Sequence, residues 1–226
     1  MDYLIQLRAA FADGILPGRS AQVLLAPPGR EEFPEPPEDA RVASVLGLLY
    51  YVADELSLLF IQRTSPPGDR HGGQISFPGG SVDTGDVDAV DTALRETEEE
   101  IGIPRAEIEL LGGLTPLYIP VSNFVVDPFI GLWLPGGDLG VPIAIGTGPR
   151  FKLQEAEVAR VLTVPVAEFM KSGARKLGDQ RTSRGIKIEK IPYYDVAGEE
   201  IWGATSMIVA ELVALLRTDS NHISRS

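Results

Sequence analysis

Two runs rich in β-forming residues lie back to back in this chain, and they limit its fold more than any other stretch. Val42–Tyr51 is apolar, Asp54-Glu55 breaks the run, and Leu56–Gln62 resumes it. The pattern reads as strand, turn, strand. Around this unit the periodicity keeps changing. Leu4, Leu7 and Phe11 recur at helical spacing behind Asp2, which can cap the first turn, and Gly14, Pro17 and Gly18 end that helix. Residues 26–39 hold five prolines and five acids and read as an extended connector. A turn-rich loop at 64–73 leads to a short strand at 74–77, and a helix at about 87–101 follows. Strands are expected near 107–118 and 124–134, at 161–164, and around 173–179 and 186–194. Short and long helices are expected at 166–170 and about 204–217. Residues 135–150 carry no periodicity.

Strands and helices therefore interleave without a regular βαβ rhythm. That predicts an α/β fold with a mixed β-sheet covered by helices, rather than a doubly wound parallel sheet. The expected division is an N-terminal helix and connector over 1–40, one main domain over 41–217, and a frayed tail over 218–226. With 226 residues and 44% hydrophobic content, one domain can bury a sizeable core.

Composition then excludes chemistries. The chain has no cysteine, which removes disulfides, thiolate catalysis and sulfur-ligated metal sites. Its two histidines, His71 and His222, are too few for a serine-hydrolase triad beside other roles or for a histidine-built zinc site. No phosphate-binding P-loop pattern occurs. The net charge of −12 repels phosphate backbones and argues against a nucleic-acid partner. No signal peptide or membrane span is legible near the N-terminus, so a soluble cytoplasmic protein without a membrane partner is expected. A homodimer is left open.

The chemistry sits in residues 77–103, FPGGSVDTGDVDAVDTALRETEEEIGI. Asp86 is a candidate N-cap, and Gly102 with Pro104 mark the helix end. Val90, Leu94, Thr97 and Ile101 fall on one face, which is expected to be buried. Glu96, Glu99 and Glu100 share an adjacent stripe, while Glu98 points to solvent. Like charges so placed repel by roughly 0.2–0.5 kcal/mol per exposed pair. A hard divalent cation such as Mg²⁺ or Mn²⁺ reverses that sign, because it prefers oxygen ligands. Arg95, one turn before Glu99, can hold a glutamate by an ion pair. Gly79 and Gly80 let the backbone approach a metal or phosphate closely. A bare glutamate triplet is ordinarily a solvated face. Glycines, arginine and helix terminator at fixed offsets shift the reading to cation binding.

Residues 95–103, RETEEEIGI, resemble the second half of the Nudix signature, R-E-U-x-E-E-x-G-U, with Thr97 at an apolar position. In its first half Asp86 stands where a glutamate falls, and the spacing to Arg95 is one residue longer. The segment Phe77-Pro78-Gly79-Gly80, Asp83, Asp86, Ala93-Leu94-Arg95-Glu96 is similar to the box of the coenzyme A diphosphatase branch. Upstream, Leu58–Thr64 and His71-Gly72 resemble that branch's preceding motif, with Asp69-Arg70 in place of its Leu-Arg pair. Residues 120–131, 155–158 with 164–166, and 201–205 carry further similarity.

The resemblance implies a Nudix-type α/β/α sandwich and cleavage of coenzyme A or acyl-coenzyme A into 3′,5′-ADP and (acyl-)phosphopantetheine. Glu99 and Glu100 would be metal ligands, with Gly79 offering its carbonyl. Glu96 would orient or deprotonate the water, or ligate a second metal. Glu157 would be an extra ligand or base. Arg63 and Arg70 would bind substrate phosphates beside Gly80. Two other readings stand beside this one. A Nudix hydrolase of another nucleoside diphosphate derivative, such as ADP-ribose, NADH or a dinucleotide, is the first. A non-catalytic nucleotide-binding module is the second, and retention of all three box carboxylates argues against it.

Overall fold

The computed structural model describes residues 2–30, 32–64, 72–135, 151–181, 185 and 187–218. Arg70, His71, all but the first residue of the 135–150 loop, and the tail beyond Thr218 lie outside the described residues. The first helix, α1 (Tyr3–Asp13), is built as its sequence directs. The Asp2 carboxylate accepts from the N–H groups of Leu4 and Ile5, and Gly14 ends the helix in the left-handed region at φ 69°. A four-residue helix α2 (Arg19–Gln22) and a 3-10 turn at Val23–Leu25 follow. Both are too short to show a period, so neither is legible in the sequence.

The expected hairpin is β1 (Arg41–Val52) and β2 (Glu55–Arg63), paired from Leu49↔Leu58 to Val52↔Glu55. Its two turn residues, Ala53 and Asp54, both sit at positive φ, 48° and 68°. That left-handed pair matches the right-handed twist of the strands it joins. Then come β3 (Ile75–Ser76), β4 (Gly79–Ser81) and the helix α3 (Ala89–Ile101). The glycine pair, beyond the short strand expected at 74–77, is itself strand: Val45 pairs with Gly79 and Ser44 with Gly80. The strand expected over 107–118 is two, β5 (Ile108–Gly113) and β6 (Leu117–Ile119). Pro116 lies between them and has no N–H to give a ladder.

The remaining elements are β7 (Phe124–Trp133), β8 (Val158–Pro165), α4 (Val166–Met170), β9 (Arg175–Arg181), β10 (Lys187–Val196), β11 (Glu199–Trp202) and α5 (Ala204–Thr218). Of these strands, β11 alone lies outside the expected set.

Among the described residues the main sheet runs β3-β2-β1-β7-β5, with β4 on β1, β6 on β7 and β8 on β2. β1 and β7 are parallel from Arg41↔Phe124 to Leu49↔Leu132, and every other pair is antiparallel. This is the mixed sheet expected from the irregular rhythm of elements. A second sheet is β11-β10-β9. Alternate residues of β1 serve opposite layers. Leu46, Leu48 and Tyr50 pack with Ala93 and Ile101 of α3, whereas Leu49 packs with Leu7 of α1 and Met207, Leu212 and Leu216 of α5. Helices thus cover both faces, an α/β/α arrangement. Among the described residues no helix is long and apolar enough to cross a membrane.

The N-terminal segment is bound into the body. Glu211 of α5 is fully buried, and its carboxylate accepts from Gly18 N–H (3.1 Å), Gln22 Nε2 (2.9 Å) and Thr115 Oγ1 (2.6 Å). A carboxylate without such donors would be strongly destabilising to bury.

Candidate active site

The site grows from the two ends of α3. The helix starts later than the sequence suggested. Asp88, not Asp86, is the N-cap, and its carboxylate accepts from Asp91 N–H at 2.8 Å. Asp86 is occupied elsewhere. Arg95 reaches back to it through Nε (2.7 Å) and Nη2 (3.0 Å), and Thr92 Oγ1 and Asp83 N–H each add a bond of 2.8 Å. The paired guanidinium holds the Asp86 carboxyl far below the usual carboxylate range, and Asp86 in turn holds Arg95 protonated. At the far end Gly102, φ 74°, donates its N–H to Glu98 O and closes the helix.

The buried face of α3 holds Thr97 and Ile101 as expected, but also Ala93 and Glu100. Thr97 tolerates burial because its hydroxyl donates to the Ala93 carbonyl at 2.7 Å. The glutamates form a gradient rather than one even stripe. Side-chain exposure is 55% for Glu99, 16% for Glu96 and 1% for Glu100. Arg95 Nη1 lies 2.9 Å from Glu96 Oε1 and 3.3 Å from Glu99 Oε2, so one guanidinium spans both, besides its tie to Asp86. Glu98 faces outward to Arg105.

Glu100 turns inward, beneath β4. Its Oε2 accepts from Gly79 N–H at 2.9 Å, while its buried Oε1 has no hydrogen-bond partner. Arg63 Nη1 stands 3.7 Å from that oxygen. Burial pushes the Glu100 carboxyl up to about 7, against the pull of Gly79 and Arg63, and the charges of Glu96 and Glu157 push it further. Burial raises Glu96 as well, opposed by Arg95.

The glycines explain how such packing is possible. A Cβ on Gly80 would come within 2.5 Å of the Glu96 carboxyl carbon, and one on Gly79 would drive into the backbone of Ser44 and Val45. Gly79 also has φ 149°, which other residues rarely adopt. The space both glycines leave is taken by the protein's own strand and carboxylate.

The end of β2 brings the remaining candidates in. Arg63 N–H donates to Gln74 O on one side, and Thr64 donates through N–H to Glu157 O and through Oγ1 to Ala156 O on the other. The same stretch is tied to the C-terminal end of α3, where Gln154 N–H donates to Glu100 O. Arg63 and Glu157, more than ninety positions apart in sequence, are thereby set beside Glu96 and Glu100. Through its carboxylate, Glu157 makes no ion pair or hydrogen bond with any described residue. The residue whose place sequence reasoning assigned wrongly is Asp86, which binds Arg95 instead of capping the helix. Its signal was present, since it stands where the signature carries an acid.

The donor set is all oxygen, and it holds an unpartnered buried carboxylate atom facing two further carboxylates. That chemistry fits a hard divalent cation. The carboxylates stand apart from one another: among the described residues no three acidic or histidine side chains share one coordination shell. The guanidinium of Arg95 draws Glu96 and Glu99 to itself, and Glu99, the most exposed, has room to swing.

The family model of the NUDIX domain matches residues 40–183. An uncharacterized Nudix hydrolase, NudL, of Photorhabdus laumondii is 32% identical over 185 residues, covering 80% of this chain and 90% of its own length. NudL of Pectobacterium atrosepticum is 33% identical, over 68% of this chain and 72% of its own. The human mitochondrial coenzyme A diphosphatase NUDT8 is 32% identical, over 77% of this chain and 69% of its own.

Proposed function

The chain belongs to the Nudix hydrolase family, and we propose that the diphosphate it cleaves is that of coenzyme A or an acyl-coenzyme A. The products would be 3′,5′-ADP and (acyl-)phosphopantetheine. The observation that carries this reading is the joint presence of the FPGG…ALRE box and the Arg63–Gln74 segment. A relative named as a coenzyme A diphosphatase, matched over 77% of the chain, supports it.

In this proposal Glu96, Glu99, Glu100 and the Gly79 carbonyl hold Mg²⁺ or Mn²⁺. The unpartnered Oε1 of Glu100 supports that role. When bound, the ion neutralises the diphosphate's charge and lowers the pKa of the attacking water. The rest falls to the chain itself. Arg63, with Arg70 from outside the described residues, grips phosphate oxygens. Water forms a bond to one phosphorus, the bridging oxygen leaves with the other, and a carboxylate takes the water's proton. Of the two candidate bases, Glu157 is the better supported. Its oxygens are free of guanidinium, whereas Glu96 Oε1 is held by Arg95 at 2.9 Å.

The test is product identification by mass spectrometry with coenzyme A, acyl-coenzyme A, ADP-ribose, NADH and dinucleoside polyphosphates, each with Mg²⁺ and with Mn²⁺. Cleavage of coenzyme A to 3′,5′-ADP is expected. No turnover of coenzyme A beside brisk turnover of another substrate overturns the assignment. Binding without any turnover would favour a regulatory nucleotide-binding module.

A further inference from the structure

A second cavity lies in the other helical layer. It is formed by α5, the turn at Val23–Leu25 and the second sheet, whereas α3 packs on the opposite face of the main sheet. Its volume is about 310 Å³, at the lower end of small-molecule sites. Ala210, Val213, Ala214 and Arg217 fall at i, i+3, i+4 and i+7 on α5, so one helix stripe supplies an apolar wall with a cation at its end. Leu24, 54% exposed, forms a rim.

Two features mark this cavity as built for an occupant. Arg175 and Arg217 both line it, and neither pairs with a carboxylate among the described residues of a chain whose net charge is −12. Tyr194, only 1% exposed, lines the cavity between them. Phe169 holds the ring edge-on at 5.2 Å. Burial pushes the phenol up to about 12 against the opposing charges of both arginines, so it remains a donor at neutral pH. Two cations and a phenol donor above an apolar wall complement one chemistry.

We propose that this cavity binds a small amphipathic anion. Its apolar chain would lie on Val213, Ala210, Ala214 and Leu24, and its carboxylate or phosphate would be gripped by Arg175, Arg217 and the Tyr194 hydroxyl. The site is separate from the hydrolase centre and independent of which diphosphate that centre cleaves.

The probes are decanoate and decyl phosphate, with decanol and decyltrimethylammonium as controls, titrated calorimetrically into the full chain. Saturable binding of either anion is expected, at least tenfold tighter than either control, and the tighter anion names the head group. The double variant Arg175→Gln/Arg217→Gln should lose at least tenfold in anion affinity while its melting temperature and metal-dependent hydrolysis stay unchanged. Tyr194→Phe should lose severalfold. Equal affinity for decanoate and decanol overturns the proposal. So does undiminished binding in the double variant, or displacement of the anion by a diphosphate substrate that competes for the hydrolase centre.

Discussion

Asp86 and Glu100 show how one helix gives two carboxylates opposite fates. Asp86 is gripped by Arg95 and stays ionised, whereas Glu100 is buried with one oxygen unpartnered. The pH dependence of the chelator-treated protein follows from Glu100. Its carboxyl rises from an ordinary 4.5 to about 7 in the fold, so between those values the native state holds more protons than the unfolded chain. Stability is then fully present below pH 4.5 and declines as pH rises through 7. Glu100→Gln should flatten that decline and add on the order of 2 kcal/mol at pH 8, as read by urea unfolding across pH. The same variant should lose metal-dependent turnover. Asp86→Ala acts through Arg95 and not on substrate. Its kcat should drop about 10- to 100-fold with KM little changed, and Asp86→Glu should restore part of it. An unchanged kcat would reduce Asp86 to a structural role. Glu157→Gln should lower kcat by roughly 10²- to 10⁴-fold with KM little changed. If kcat holds in that variant and falls instead in Glu96→Gln, the base is Glu96.

The hairpin of β1 and β2 and the helix α3 are legible in the sequence because each carries a period and a boundary residue. The hairpin's weak point is its turn, where Ala53 bears a positive φ without the freedom of glycine or asparagine. Replacing Ala53-Asp54 by Asn-Gly should raise stability by about 1 kcal/mol, measured by thermal melting with hydrolysis unchanged. What the sequence hides are elements whose cause lies elsewhere in the chain. Gly79-Gly80 is strand because β1 offers it a partner and Glu96 needs the space. No local propensity reports that. The start of α3 falls two residues later than expected because Asp86 is a sound cap by local rules, yet Arg95, nine positions on, recruits it. Spacing alone picks out the glutamates of α3. It does not reveal their unequal burial, which depends on where β4 crosses the helix. Arg70 and the 135–150 loop, both singled out from the sequence, fall outside the described residues.

At the scale of the molecule, the family match begins at residue 40, yet the fold does not. Leu7 and Leu25 are fully buried, and Gly18 and Gln22 satisfy the Glu211 carboxylate. Deleting residues 1–22 should therefore cost at least about 4 kcal/mol, from exposed leucine contacts and a stranded buried charge. Thermal melting and protease resistance of the truncated chain would measure it, and an unchanged melt would show the segment to be an appendage. The parallel pairing of β1 with β7 has a consequence in time as well as space. Arg41 meets Phe124, about eighty residues further along the chain, and its guanidinium stacks 4.0 Å from that ring. The hairpin can zip from its own turn within microseconds, but the sheet's middle must wait for a long loop to close. Refolding is therefore expected to be slow and governed by that closure. Until β7 arrives, β1 shows one bare edge to every other chain in solution.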